Sequence, residues 1–180
     1  SLADKVCEEY GVKMINVLTG FKYIGEQIKL LEERSEQDRF ILGFEESYGY
    51  LAGSFVRDKD AVIASMLIIE MASFYKTQGK TLLDVYAEIE KRYGVYFGKV
   101  ESFSFAGASG MEKMAEIMKS LRKNPPQEIA GLKTLFVSYY LKRSKTCLAN
   151  GEETPINLPK ADVLIFDLEK SNLRNSYVKT

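Results

Sequence analysis

Histidine is absent from the 180 residues. That removes a histidine general base, a Ser-His-Asp triad within the chain and every histidine-ligated metal site. Cysteine occurs twice, at Cys7 and Cys147, far apart and in no CxxC pattern. A disulfide-stapled scaffold needs more, so the two read as reduced cytosolic thiols. No long apolar run is present either. The longest stretch, residues 61–72, contains Glu70 and is too short to span a bilayer. No signal peptide is read at the start, so the chain is expected to be soluble and cytoplasmic. An excess of one charge is also missing, with Lys plus Arg at 25 and Asp plus Glu at 25. Neither nucleic acid nor an anionic membrane is therefore expected as a partner.

What is present suits a packed globular chain. Hydrophobic residues make up 46% and charged residues 28%, enough for a core and an ordinary solvated surface. The length fits one domain, or one small domain with part of another. The charge balance is uneven along the chain. Residues 1–97 hold 12 basic and 16 acidic side chains, net −4, and residues 98–180 hold 13 and 9, net +4. Two units are expected, 1–97 and 98–180.

Hydrophobic spacing sketches the elements. Residues 3–10 predict a short helix stopped by Gly11, and residues 12–18, rich in Val, Ile and Met, predict a strand. Phe21, Ile24, Ile28 and Leu31 recur at helical spacing and predict a helix over 21–34. Residues 39–42 predict a short buried strand, and 43–54 a loop. Residues 60–76 predict a second long helix, apolar on most faces and expected to be buried. Thr81 with Asp84 forms a capping-box pattern ahead of a fourth helix, which Gly94 stops. Beyond it, 100–105 alternates like a strand, and Ser109-Gly110-Met111-Glu112 predicts a capped helix. Strands follow over 132–141 and 163–168, separated by a turn-rich loop at 149–159. The fold class expected is a small mixed-sheet α/β domain followed by an incomplete α+β domain.

Three segments carry residues with chemical potential. Gly43-Phe44-Glu45-Glu46-Ser47-Tyr48-Gly49-Tyr50 lies between a strand and a helix, where open α/β sheets bind ligands. A carboxylate accepts from two donors and a serine hydroxyl both donates and accepts, a pattern that fits vicinal sugar hydroxyls. The same composition also fits a solvated acidic loop. Arg57-Asp58-Lys59-Asp60 stands at a helix N-terminus, where cations beside free N–H groups could hold phosphate or simply begin a charged helix. Thr19-Gly20-Phe21-Lys22 has a similar position. Gly79-Lys80-Thr81 imitates the end of a phosphate-binding loop, but Phe74 stands where that motif needs glycine. The methionines at 111, 114 and 118 read as helix core.

Together, these three segments occur in the order and spacing of the third domain of the α-D-phosphohexomutases, the family that includes phosphoglucomutase and phosphomannomutase. The Glu-Glu-Ser-aromatic-Gly form is similar to the phosphoglucomutase and phosphopentomutase branch. The resemblance covers about the first 100 residues well, and residues 98–168 resemble the start of the fourth domain less sharply. It implies a phosphoserine that passes phosphate to a sugar monophosphate, through a bisphosphate intermediate, with Mg²⁺ stabilising the transferring charge. By resemblance, Glu45 and Ser47 grip sugar hydroxyls, and Thr19, Gly20 and Lys22 help select the sugar. Lys59 faces the sugar or its phosphate, and Arg57 is either its neighbour or a structural cation. The partners implied are a hexose or pentose phosphate and the N-terminal domains of the same enzyme.

The chain departs from the family at the catalytic loops. The Thr-Ala-Ser-His-Asn-Pro and Asp-Gly-Asp-Ala-Asp-Arg types are absent, and Leu173-Arg174-Asn175-Ser176 stands near the place of the phosphate-binding Arg-Pro-Ser-Gly-Thr-Glu-Pro loop. No catalytic residue or Mg²⁺ ligand is therefore expected here. The expectation is a C-terminal fragment, beginning after the third domain's first strand, inactive alone, with an unpaired sheet edge open to self-association. A phosphosugar-binding paralogue without catalysis, or an interaction domain that kept only the fold, are the other readings.

Overall fold

The computed structural model describes residues 1–169, the side chain of Ala108 excepted. Two compact units divide between Tyr96 and Phe97. No helix among the described residues is long and apolar enough to cross a membrane.

In the first unit, α1 (Leu2–Glu9) opens with a capping box between Ser1 and Asp4. The chain then runs without ladder pairing from Val12 to Leu18, so the strand expected there does not form. A strand exists only through a partner's hydrogen bonds, and β-branched composition does not supply one. Helix α2 (Phe21–Glu32) follows, with Phe21, Ile24, Gly25 and Ile28 buried on one face, as the 3.6-residue period requires.

The strand expected at 39–42 is also displaced. Residues Gln37–Arg39 form a 3₁₀ turn and β1 begins later, at Leu42–Phe44, with only Gly43 buried. It pairs antiparallel with β2 (Tyr50–Ala52) through Gly43↔Leu51 and Phe44↔Tyr50. The segment expected as a loop is thus a hairpin whose tip carries residues 45–49. Leu51, Ile28, Ile24 and Phe21 form one core, joined by Val17 and Phe40.

Helix α3 (Ala61–Thr77) is capped by Asp60, whose carboxylate accepts from the N–H groups of Val62 and Ile63. The burial expected for α3 is not found, since none of its residues is buried, and Val62 and Ile69 are 68% and 66% exposed. Apolar composition shows what a helix tolerates, whereas burial needs neighbours, and α3 meets chiefly β2 and α4. Helix α4 (Leu82–Tyr93) carries the expected Thr81–Asp84 capping box and ends at Gly94.

In the second unit, residues 100–105 form no strand. Helix α5 spans Gly107–Lys123 and starts from Ala106 without a side-chain cap. Ser109 therefore lies inside its first turn and does not serve as the expected cap. Met118 is buried on α5 while Met111 is exposed, so the methionine stripe enters the core only at its C-terminal end. Five antiparallel strands form the sheet: β3 (Glu128–Ile129), β4 (Leu132–Tyr139), β5 (Ser144–Cys147), β6 (Glu153–Pro155) and β7 (Leu164–Leu168). Central β4 pairs with β5 on one side and β7 on the other. Strand β5 and, within the expected turn-rich loop, β6 were not foreseen. Val137, Leu164, Phe166, Leu168 and Met118 make this unit's own core. The Leu173-Arg174-Asn175-Ser176 segment lies outside the described residues.

Candidate functional site

The tip of the β1–β2 hairpin, the start of α2 and the segment before α3 converge. Glu45 follows β1 directly, and its backbone N–H donates to the Gly49 carbonyl at 2.9 Å, closing the tip. Its side chain turns inward and is only 10% exposed. One carboxylate oxygen, Oε1, accepts from the Gly20 N–H at 3.1 Å. Gly20 is the N-cap of α2 and has no side chain to cap the helix itself. The Glu45 carboxylate thus occupies a helix N-terminus, where the aligned peptide dipoles favour a negative charge.

The other oxygen, Oε2, lies 3.7 Å from the Lys59 Nζ. Lys59 precedes the Asp60 cap of α3, and the Asp60 N–H donates to the Tyr50 carbonyl at 2.8 Å, tying that helix start to β2. The hairpin thereby sets both members of the Glu45–Lys59 pair. Lys59 Nζ also lies 3.4 Å from Asp58 Oδ1. The Lys59 N–H holds the Asp58 carboxyl below the usual carboxylate range. Both ammonium–carboxylate distances exceed the 2.7–2.9 Å of a tight charge-assisted bond. The Glu45–Lys59 pair is close enough to be matched in charge, with the lysine half exposed and the carboxylate nearly buried.

Gly49 makes this convergence possible. A Cβ there would stand 2.8 Å from Glu45 Oε2, 3.2 Å from Lys59 Cδ and 3.3 Å from Phe21 Cδ2. The Lys59 Nζ also lies over the Phe21 ring, 5.4 Å from its centroid. Phe21 and Gly49 were legible only as an apolar stripe position and a turn residue. Nothing in their residue types marks them as neighbours of Lys59.

The remaining expected residues are distributed around this cluster. Thr19 is exposed just before α2, and Lys22 sits in the first turn with its Nζ over the Tyr23 ring at 4.7 Å. Ser47 is exposed on the hairpin tip beside Tyr48, which takes a positive φ of 64°. Arg57 is held differently: its guanidinium pairs with Glu32 and donates to the carbonyls of Ser54 and Val56. It is thus bound to the end of α2 and to its own loop. Among the described residues, no group of three His, Cys, Asp or Glu side chains is arranged to hold a metal ion.

Comparison with known proteins shows the family. The family model for the α/β/α domain III of phosphoglucomutase/phosphomannomutase matches residues 1–93. The phosphoglucomutase of Staphylococcus epidermidis (strain ATCC 35984) is 40% identical over 163 residues, 91% of this chain and 29% of the relative. That of Staphylococcus haemolyticus (strain JCSC1435) is 39% identical over the same shares. That of Staphylococcus aureus (strain bovine RF122) is 41% identical over 158 residues, 87% of this chain and 28% of the relative. The chain therefore spans less than a third of the length of the curated relatives it matches. No solved structure gives a significant match. With the hairpin tip, the α2 start and the α3 start all inside the matched residues, the chain belongs to the phosphoglucomutase/phosphomannomutase family and carries its third domain.

Proposed function

We propose that residues 1–97 are the sugar-gripping domain of an enzyme that moves phosphate between the 1- and 6-positions of a hexose, or the 1- and 5-positions of a pentose. The whole enzyme does so through a phosphoserine and a sugar bisphosphate, in the cytoplasm. Its catalytic serine and its Mg²⁺ ligands lie outside this chain, which is inactive alone. Residues 98–180 form part of its last domain.

The observation that carries this reading is the Glu45 carboxylate, fixed by the Gly20 N–H on one oxygen and facing Lys59 with the other. Glu45 accepts from neighbouring sugar hydroxyls, because an ionised carboxylate offers about four acceptor positions and Gly20 uses one. Ser47, exposed at the tip, adds a group that donates and accepts. Lys59 supplies a cation to the sugar or its phosphate. Thr19, Gly20 and Lys22 line the approach and select among sugars. Arg57 acts as the clamp that holds its loop against α2, which its three partners support. The residues gripping the sugar make no covalent bond to it, so the same loop serves either orientation of the turning bisphosphate. Their contribution is positioning and charge complementarity.

The test is a titration of the 180-residue chain with glucose 1-phosphate, followed by backbone amide NMR. Shifts are expected at Thr19 to Lys22, Glu45 to Tyr48, and Arg57 to Lys59. Silence at those amides with millimolar ligand overturns the assignment of these residues as a formed sugar site.

A further inference from the structure

We infer that Phe21 is a positioning residue for Lys59, its buried ring carrying the ammonium group on its face and aiming it at the mouth of the Glu45 loop. What this does for ligand binding rests on the phosphosugar reading above, whereas the geometry stands without it.

Lysine is a compact charge on a flexible four-carbon stem and makes a poor positioner unless something restrains it. The Lys59 side chain is 53% exposed, and both neighbouring carboxylates lie farther from Nζ than a tight ion pair requires. Asp58 Oδ1 accepts a long hydrogen bond from it at 3.4 Å and Glu45 Oε2 attracts it from 3.7 Å, so the two carboxylates hold the charge nearby without a tight bond to fix its direction. The Phe21 ring does offer a fixed surface. Phe21 is the first residue of α2, 4% exposed and packed in the core with Ile24, Ile28 and Leu51. Its ring cannot follow the lysine, so the lysine follows the ring. Nζ at 5.4 Å from the centroid is within the roughly 6 Å at which the ring quadrupole attracts a cation. Gly49 completes the arrangement: with no Cβ it leaves room for Glu45 Oε2, Lys59 Cδ and Phe21 Cδ2, which a side chain there would meet at 2.8, 3.2 and 3.3 Å. A leucine at position 21 would fill the core yet present no negative face. The aromatic ring at the start of α2 is therefore part of the site and not only part of the core.

Two readouts separate this from a packing role. In the ligand-free chain, a nuclear Overhauser contact is expected between the Lys59 ε-methylene and the Phe21 ring protons, with those methylene protons shifted upfield by the ring. Absence of both in the native chain overturns the inference, and this readout does not depend on any variant folding. In Phe21→Leu the upfield shift should vanish, and glucose 1-phosphate should bind about two- to fivefold more weakly. Phe21→Trp should restore both. A leucine variant with native affinity and native methylene shifts overturns the positioning role. If the native chain binds no phosphosugar, the functional reading falls, while the Lys59 methylene shifts still decide where the cation sits.

Discussion

A methyl group at position 25 would meet the backbone oxygen of Arg57 at 2.8 Å. Backbone cannot swing aside as a flexible side chain can, so Gly25→Ala should separate α2 from the loop that Arg57 anchors. The expected cost is about 1–3 kcal/mol, the range of overpacking in a filled core, read as a lowered denaturant midpoint. An unchanged midpoint would mean the loop moves freely, and that the Arg57 clamp holds nothing. Glu45 gives the functional counterpart. In the full-length enzyme carrying this segment, Glu45→Ala should lower kcat/KM through lost charge-assisted hydrogen bonds of about 1.5–3 kcal/mol each. Unchanged kcat/KM would remove Glu45 from sugar binding. At this scale residue types alone left Glu45, Ser47 and Lys59 open between a ligand loop and a solvated one, and only the resemblance to the family singled them out as sugar contacts. That Gly20 donates to Glu45, and that Phe21 lies under Lys59, was not legible. Both depend on how a hairpin lies across a helix start, which no local pattern encodes.

Elements show a sharper division. The helices were legible because their period is local, and although the box expected at Ser109 does not form, the one in which Thr81 and Asp84 satisfy each other within one turn is local too. That box also makes a pH prediction. The Thr81 hydroxyl first, and the Thr81 N–H second, hold the Asp84 carboxyl below its ordinary value of 3.8. A depressed folded-state value means the stabilisation is present above pH 3.8 and is lost as pH falls through the lower folded value. Thermal midpoints taken from neutral pH downward should therefore fall more for the native chain than for Thr81→Val, which lacks the hydroxyl. Parallel curves would show that the Thr81 hydroxyl contributes nothing to acid sensitivity. Helix α3 depends on Asp60 in the same way, since its carboxylate takes two otherwise unpaired N–H groups. Asp60→Ala should cost about 0.5–2 kcal/mol, and circular dichroism at intermediate denaturant should show the helix lost early. Strands were less legible because pairing is non-local. Residues 12–18 and 100–105 have strand composition but no ladder partner among the described residues, whereas the short β1 and β2 form because a five-residue tip returns one onto the other.

Across the whole molecule, the two units keep separate apolar clusters, one around Ile28 and Leu51 and the other around Val137 and Phe166. Each lies within a single unit, so a cavity cut in one removes contacts only there. Both Ile28 and Leu164 are essentially unexposed. Ile28→Ala and Leu164→Ala should each cost about 2–5 kcal/mol, the transfer loss plus the cavity left behind. That is comparable with the entire stability of a unit of this size. Hydrogen exchange resolved by residue shows where the loss falls. Ile28→Ala should strip protection from α2 and the β1–β2 hairpin and leave β4, β5 and β7 protected. Leu164→Ala should do the reverse, even where the affected unit unfolds completely. Loss of protection in both units from either substitution would mean that they unfold as one cooperative body. The Glu45–Lys59 cluster would then depend on the second core as much as on its own. Retained protection across the boundary would instead assign the stability of the Glu45–Lys59 cluster to the α2–hairpin core alone, the core that contains Phe21.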